Sequence, residues 1–170
     1  MKMPSNIELK VRWDNSGLAI EKAKSFGASF SKTIKQCDTY YINNNEKLKL
    51  REVYGENTEL IYYLREDNEK WQSNYIIADV SDVKNQKKIF DMLFGVVIEV
   101  KKLRTLYVFN NARIHIDEVE GLGSFLEFEV IIKEDENQAL ELLNRLKKHF
   151  EIPTDKLLKK SYSDLLIQLN

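Results

Sequence analysis

The sequence has few of the residues that break or cross-link a chain. It contains one cysteine (Cys37), two prolines (Pro4 and Pro153) and six glycines among 170 residues. A single cysteine excludes an internal disulfide and fits a reducing compartment, so we expect a cytoplasmic protein. No stretch rich in proline, glycine or serine separates two segments, and the length suffices for one well-buried domain. We therefore predict a single domain spanning residues 1–170.

Long apolar runs and an excess of one charge are also missing. No run approaches the roughly 20 apolar residues that cross a bilayer, and the start MKMPSNIELK lacks the apolar part of a secretory signal. Lysine plus arginine total 26 against 27 for aspartate plus glutamate, which gives a formal net charge of −1. We therefore expect neither a membrane nor nucleic acid as a partner, and any functional charge has to come from local segregation of side chains.

Most of the chain is predicted to form antiparallel strands. Alternating apolar and polar residues indicate eight strands, at about 5–13, 33–43, 46–54, 58–66, 71–80, 97–109, 111–120 and 124–133. Helices are predicted at about 16–26, 82–94, 136–150 and 161–169. Eight strands are the right number for a small closed barrel. The predicted fold class is α+β: an eight-stranded antiparallel closed β-barrel, or tunnel, with helices packed outside.

The segment 110–132, NNARIHIDEVEGLGSFLEFEVII, shows the alternation most clearly. It reads as two strands joined by a Gly-Leu-Gly turn, with Arg113 and Asp117 on one face of the first strand and Glu127 and Glu129 on one face of the second. A solvated face is the ordinary explanation of such a pattern on a single strand. The alternate positions are apolar and have to face a core: Ile114, Ile116, Leu126, Phe128 and Val130.

Similar charges recur on six strands, which favours a charged interior over six separate solvated faces. An isolated buried charge is costly, so a dry interior could not hold them, whereas a wet tunnel that binds a polyanion and metal ions could. Arginine and lysine suit phosphate oxygens, and clustered carboxylates suit Mg²⁺ or Mn²⁺. The charges that could face inward are Glu8, Lys10 and Arg12; Lys47, Lys49 and Arg51; Arg65; Lys102 and Arg104; Arg113 and Asp117; and Glu127 and Glu129.

Six segments, in order along the chain, also carry a family signature. They are NIELK (6–10), QCDTYY (36–41), LKLRE (48–52), LIYYLRED (60–67), VKKLR (100–104) and RIHIDEVEGLGSFLEFE (113–129). Together they resemble the CYTH superfamily, the triphosphate tunnel metalloenzymes, which includes class IV adenylyl cyclases and thiamine triphosphatases; NIELK stands where the family has ExExK. The last segment is most similar to proteins called class IV adenylyl cyclase-like. The resemblance implies an eight-stranded tunnel in which basic residues hold a triphosphate and acidic residues hold divalent metal.

The resemblance implies roles for individual residues. Glu8, Glu127 and Glu129 match metal-ligand positions, to which Asp117 is an addition, and Glu8 and Asp117 are the candidates for catalysis. Asn6 stands in place of the first glutamate of the signature, and its amide oxygen can ligate a metal but brings no charge. The positions that match triphosphate contacts are Lys10, Lys49, Arg51, Arg65, Lys102, Arg104 and Arg113.

The expected reaction is conversion of ATP to cyclic AMP and pyrophosphate, with Mg²⁺ or Mn²⁺ as cofactor. Two alternatives stay open: a triphosphatase acting on tripolyphosphate, a nucleotide or thiamine triphosphate, and a non-catalytic barrel that binds a polyphosphate or another anionic ligand. The expected partner is a small-molecule triphosphate (ATP, tripolyphosphate or thiamine triphosphate), and a homodimer is among the assemblies left open. We interpret His115 as a partner in a structural hydrogen bond, Asp38 as an acceptor of a local backbone hydrogen bond and Tyr40 as a core residue.

Overall fold

Eight antiparallel strands form a closed barrel. The computed structural model describes residues 5–65, 72–133 and 135–169. Around the barrel the strands follow the order β1, β5, β4, β3, β2, β6, β7, β8. This architecture confirms the predicted fold class. The strands are β1 (Ser5–Arg12), β2 (Ser29–Asn43), β3 (Glu46–Val53), β4 (Thr58–Arg65), β5 (Gln72–Val80), β6 (Ile98–Phe109), β7 (Ala112–Val119) and β8 (Gly123–Ile131).

Two meanders build the barrel, and β1 closes it. Strands β2 to β5 pair in sequence order, as do β6 to β8, while β1 pairs with β5 on one side and β8 on the other. The turns after β6 and β7 need left-handed backbone, with φ of 53° at Asn110 and 78° at Gly121. Glycine adopts this conformation at little cost, and asparagine is one of the few other residues that tolerate it.

The described residues include four α-helices outside the barrel: α1 (Ser16–Ser25), α2 (Val83–Leu93), α3 (Glu136–His149) and α4 (Tyr162–Ile167). Each helix starts next to a side chain that accepts a hydrogen bond from a backbone N–H of its first turn. These capping residues are Asn15, Asp82, Asp135 and Ser161. Within the described ranges, no helix is long and apolar enough to cross a membrane.

The main apolar core lies between the barrel and helices α1 and α3, not inside the barrel. Strands β1, β7 and β8 turn their apolar side chains outward to these helices, which leaves the alternate positions for the interior. The apolar positions predicted in the segment 110–132 all belong to this core. Its members on the barrel include Ile7, Leu9, Val11, Ile114, Ile116, Leu126, Phe128 and Val130, and those on the helices include Ala19, Ala23, Ala139, Leu142, Leu143 and Leu146.

Helix α2 is attached to the barrel more loosely. All of its residues are at least partly exposed, including Met92 at 79% and Leu93 at 67%. The Phe90 ring packs edge-on against Tyr41 of β2 with 5.2 Å between ring centres, and Lys87 pairs with Glu52 of β3 at 2.7 Å.

Strand β2 begins at Ser29, earlier than the alternation predicts, whereas the other strand and helix boundaries lie within two residues of the prediction. Its first residues pair with the end of β6, where Ser29 lies opposite Val108, and the register shifts between Phe30 and Lys32. A bulge inserts an extra residue into one strand and interrupts the alternation of faces. The start of β2 therefore lacks the two-residue period by which strands are identified in a sequence.

Replacing Leu146 by alanine should lower the free energy of unfolding by about 2–5 kcal/mol. Leu146 is 0% exposed in the core between α3 and the barrel, so the truncation removes buried contacts and leaves a cavity. Leu140 lies in the same helix at 44% exposure, and Leu140→Ala is the matched control, with an expected change within about 0.5 kcal/mol. Chemical denaturation measures both, and equal losses would contradict this placement of the core.

Candidate active site inside the barrel

The barrel interior contains a cavity of about 410 Å³ lined by charged side chains. This volume lies within the roughly 300–1,000 Å³ of small-molecule sites. Most of the site residues predicted from the sequence lie on its wall. Arg65 ends β4, and its side chain lies outside the described part of the structure. The predicted residues on the wall are Glu8, Lys10, Lys49, Arg51, Lys102, Arg104, Arg113, Glu127 and Glu129.

The acidic wall residues that were predicted from the sequence come from the neighbouring strands β1 and β8. The register places Glu8 opposite Glu129 and Lys10 opposite Glu127. Glu127 Oε2 lies 3.1 Å from Lys10 Nζ, and its Oε1 lies 3.3 Å from Arg104 Nη2. Burial opposes the ionisation of Glu127, but Lys10 and Arg104 outweigh it and hold the pKa well below its usual value. Glu127 is therefore ionised at neutral pH.

His115 lies between the two carboxylates of β8. Its Nδ1 is 3.1 Å from Glu127 Oε1, and its Nε2 is 3.8 Å from Glu129 Oε2. An ionised carboxylate only accepts hydrogen bonds, so Nδ1 carries the hydrogen of the shorter contact. Burial and the nearby Arg104 lower the pKa of His115, which favours the neutral ring. The hydrogen bond expected of this residue is present.

Asp38 of β2 is the centre of the basic cluster, and its predicted role as a local backbone acceptor is wrong. It is 0% exposed. Its Oδ1 accepts a hydrogen bond from Arg51 Nε at 2.9 Å, and its Oδ2 accepts one from Lys49 Nζ at 2.9 Å. Lys102 Nζ lies 3.8 Å from the same Oδ2. One carboxylate therefore orients cations from both β3 and β6.

The charge of Asp38 persists at neutral pH despite its burial. Burial opposes ionisation, but Arg51 and Lys49 outweigh it and hold the pKa of the carboxyl well below its usual value. The register places Asp38 directly opposite Arg51. That pairing is the signal that could have identified the residue, but it requires knowledge of how β2 and β3 align.

Asp117 has a similar position behind Arg104. It is 0% exposed, and it accepts hydrogen bonds from Arg104 Nε at 2.7 Å and Nη2 at 2.6 Å. Burial opposes its ionisation, but Arg104 outweighs that effect and lowers the pKa. Both oxygens are thus engaged away from the cavity. In this position Asp117 orients Arg104, a different role from the catalytic one expected from the sequence.

Helix α4 contributes a residue that the sequence analysis missed. Tyr162 lines the cavity and donates a hydrogen bond from its hydroxyl to Asp117 Oδ2 at 2.9 Å. Lys10 Nζ and Lys102 Nζ lie 4.2 and 5.1 Å from the centre of its ring. The face of an aromatic ring attracts cations, so Tyr162 orients two lysines of the wall. The residue lies in a short helix after the last strand, and no strand alternation points to it.

Two charges assigned to the interior lie elsewhere. Arg12, at the end of β1, is exposed and donates a hydrogen bond to the carbonyl of Leu122 at 2.8 Å. Lys47 is buried, but its Nζ lies 2.7 Å from Asp164 of α4. Lys47 therefore attaches this helix to β3.

The donor set fits a cation that is shared with a phosphate ligand. Among residues 5–65, 72–133 and 135–169, no group of three or more His, Cys, Asp or Glu side chains is spaced to hold a metal ion. Mg²⁺ is usually bound by one or two carboxylates together with waters and substrate phosphates, not by an all-protein cage. Glu127 and Glu129, with Glu8 on the adjacent strand, supply oxygen donors of that kind on the same wall as the basic residues.

A model of the CYTH domain matches residues 5–162. The chain belongs to the CYTH family. A relative from Methanocaldococcus jannaschii named "Putative adenylate cyclase MJ0240" is 28% identical over 169 residues, which covers 94% of this chain and 97% of that protein. The family assignment confirms the resemblance identified from the sequence.

Solved structures share the fold of this CYTH protein. The PH1012 protein of Pyrococcus horikoshii OT3 has a TM-score of 0.86 at 24% identity and covers 94% of this chain and 98% of its own. A Hippeastrum protein, "Putative adenylyl cyclase HpAC1", has a TM-score of 0.68 at 14% identity, with 99% and 97% covered, and is described as having a dominant triphosphatase activity. At these identities the likeness establishes the fold.

Lys102 changes its charge close to neutral pH in this CYTH barrel. Burial and the neighbouring Arg104 lower its pKa to about 7, although Asp38 and Asp117 oppose the shift. An anion bound in the cavity would favour the charged form and raise this pKa. A triphosphate would therefore bind with uptake of a proton above pH 7.

Asp38→Asn should lower the free energy of unfolding by about 3–5 kcal/mol, because Lys49 and Arg51 lose their buried counter-charge. The matched control is Asp79→Asn, at an exposed position of β5, with an expected change within about 0.5 kcal/mol. Chemical denaturation compares the two variants with the wild type. Equal stability of the two variants would contradict the central position of Asp38.

The free energy of unfolding should rise more steeply between pH 7 and 10 in the wild type than in Lys102→Met. The pKa of Lys102 is about 7 in the folded protein and about 10.4 in the unfolded chain. In this window the unfolded chain binds more protons, so stability rises with pH; below pH 7 both states bind the proton and the slope vanishes.

Lys101→Met is the control for this experiment, because Lys101 precedes Lys102 in β6 and its side chain is 53% exposed. It should keep the wild-type slope. Denaturation series at several pH values provide the measurement, and a wild-type slope in Lys102→Met would disprove the lowered pKa.

Proposed function

We propose that this CYTH protein is a metal-dependent enzyme that binds a triphosphate inside its barrel and converts ATP to cyclic AMP and pyrophosphate. The proposal rests on one observation above all: basic side chains from β1, β3, β6 and β7 surround a single cavity that also contains carboxylates of β1 and β8. Several cations on one wall suit an extended polyanion, and carboxylates beside them suit its divalent counter-ion.

The two buried aspartates prepare the arginines for this ligand. Arg51 uses Nε and Nη2 to bind Asp38, and Arg104 uses the same two atoms to bind Asp117. A guanidinium carries five N–H donors, so among the described residues the hydrogens of Nη1 are left to contact a phosphate oxygen. Because the aspartates fix both side chains, little reorganisation is needed when the anion binds.

In the proposed reaction the ribose O3′ attacks the α-phosphorus in line. The O3′–P bond forms, the bond from this phosphorus to the bridging oxygen of the β-phosphate breaks, and pyrophosphate leaves. Arg51 and Arg104 stabilise the negative charge that develops on the leaving group. The proton of O3′ has to pass to a base, for which we propose Glu8, which lines the cavity.

Glu127 and Glu129 are the proposed ligands of Mg²⁺ or Mn²⁺. Both lie on β8 and face the same wall as the basic residues. The chemistry that such an ion supplies when bound is neutralisation of phosphate charge and stabilisation of the leaving pyrophosphate.

A triphosphatase is the second candidate, and the same cavity supports it. Hydrolysis requires only a water in line with the terminal phosphorus, whereas cyclisation also requires the nucleoside to be held so that O3′ reaches the α-phosphorus. The Methanocaldococcus jannaschii relative carries the name of a cyclase, which supports the first choice. The Hippeastrum protein, described as mainly a triphosphatase, indicates that this fold also suits hydrolysis of a triphosphate.

Incubation with ATP and Mn²⁺ should yield cyclic AMP and pyrophosphate, identified by chromatography. Glu129→Gln should abolish turnover without unfolding the protein, because the residue lies on the polar wall, outside the apolar core. Glu118→Gln, at an exposed position of β7, is the matched control and should keep full activity. Production of ADP and phosphate without cyclic AMP would contradict the cyclase and support the triphosphatase. Binding without turnover of ATP, tripolyphosphate or thiamine triphosphate would support a non-catalytic barrel.

A further inference from the structure

Two neighbouring polar atoms on the cavity wall lack hydrogen-bond partners among the described residues. Asn6 Oδ1 and Ser73 Oγ are buried, and neither has a partner within the described part of the chain. The two residues are 6% and 5% exposed, and both line the cavity. The register of β1 and β5 places them directly opposite each other. Such pairs have Cβ atoms about 4.5–5.5 Å apart, so one small group can contact both.

Unpaired polar atoms of this kind are rare in native proteins, because burial without a hydrogen bond is costly. Here the two atoms occur together, on a cavity that contains predicted ligand contacts. Their position indicates a subsite whose hydrogen bonds are completed by a bound molecule.

The chemistry of the subsite excludes a phosphate group as its occupant. The Asn6 amide donates a hydrogen bond from Nδ2 to Glu129, which leaves Oδ1 as the unpaired acceptor. Phosphate oxygens only accept hydrogen bonds, so an ionised phosphate cannot donate one to Asn6 Oδ1. Ser73 Oγ both donates and accepts. A hydroxyl group satisfies the pair, since it can donate to Asn6 and accept from Ser73.

The subsite also lies away from the cations around Asp38. Strand β1 is four strands from β2 in the eight-stranded order, so Asn6 and Asp38 lie on opposite sides of the barrel. A ligand whose phosphates contact the cations around Asp38 would direct its other end toward β1 and β5.

We propose that Asn6 and Ser73 bind a hydroxyl of the organic part of an esterified triphosphate, such as a ribose hydroxyl of a nucleotide. This inference rests on the proposed function, in which the phosphates occupy the basic cluster. It also accounts for an amide in place of the signature glutamate: Asn6 accepts a hydrogen bond without adding a third negative charge next to Glu8 and Glu129. The substrate class is then a nucleotide, and inorganic tripolyphosphate would leave the subsite unused.

Calorimetric titration with two non-hydrolysable ligands in Mg²⁺ tests this subsite. The ligands are α,β-methylene-ATP and the bis-methylene analogue of tripolyphosphate. Ser73→Ala should weaken binding of the nucleotide about tenfold, the effect of one lost hydrogen bond, and should change binding of the inorganic analogue less than about twofold. Ser73→Cys retains the size of the side chain and should show the same selectivity. Ser29→Ala, at an exposed position of β2, is the matched control and should bind both ligands as the wild type does.

The 2′-deoxy and 3′-deoxy forms of the nucleotide identify the hydroxyl. One of them should bind the wild type at least about tenfold more weakly than the parent nucleotide, and this difference should shrink in Ser73→Ala, because both changes remove the hydrogen bond between this hydroxyl and Ser73. An equal loss for both parent ligands in Ser73→Ala would assign the pair to a cation or a phosphate and overturn the inference. Unchanged binding would mean that water forms the hydrogen bonds to Asn6 and Ser73, and it would also overturn the inference. If the inorganic analogue does not bind the wild type, the proposed function fails, and the inference fails with it.

Discussion

Buried carboxylates hold the cationic side chains of this barrel in place. Asp38 binds Lys49 and Arg51, and Asp117 binds Arg104. A cluster of lysines and arginines without these partners would repel itself and force the strands that carry it apart. With these partners, the barrel can fold with charged side chains in its interior, and the arginines keep N–H groups that point to the cavity. The same ion pairs thus permit the fold and orient the side chains of the proposed site, so stability and the proposed ligand binding depend on the same atoms.

This arrangement requires the apolar core to lie on the other side of the strands. Helices α1 and α3 cover the outward faces of β1, β7 and β8, and Phe128 and Leu146 of this core are 0% exposed. Because side chains alternate along a strand, each apolar residue that faces the helices places its neighbour in the cavity. The polar interior is therefore the counterpart of a well-packed exterior. It does not need a separate explanation for each charged residue.

The alternation of apolar and polar side chains on opposite faces of each strand explains what could be predicted from the sequence. Alternation identified the strands, and it placed Lys102 and Arg104 on the cavity wall, because a face can be assigned within one strand. It could not identify Asp38 as the partner of Arg51, since that pairing depends on the register between strands. Nor could it place Tyr162, because the docking of a short helix onto the barrel depends on tertiary contacts such as the pair between Lys47 and Asp164. At the start of β2 the bulge interrupts the alternation, so the sequence did not predict that the strand begins at Ser29.

Helix α2 contributes little to the stability of the barrel, because the main apolar core lies under helices α1 and α3. None of its residues is fully buried. It contacts the strands mainly through the Phe90 ring and an ion pair of Lys87. Such a segment can unfold locally while the barrel stays closed, because few buried contacts are lost. Its backbone amides would then exchange with solvent at a rate set by local opening, and those of β8 at a rate set by global unfolding. Opening of α2 thus costs less free energy than unfolding of the barrel, and the cavity is lost only when the barrel unfolds.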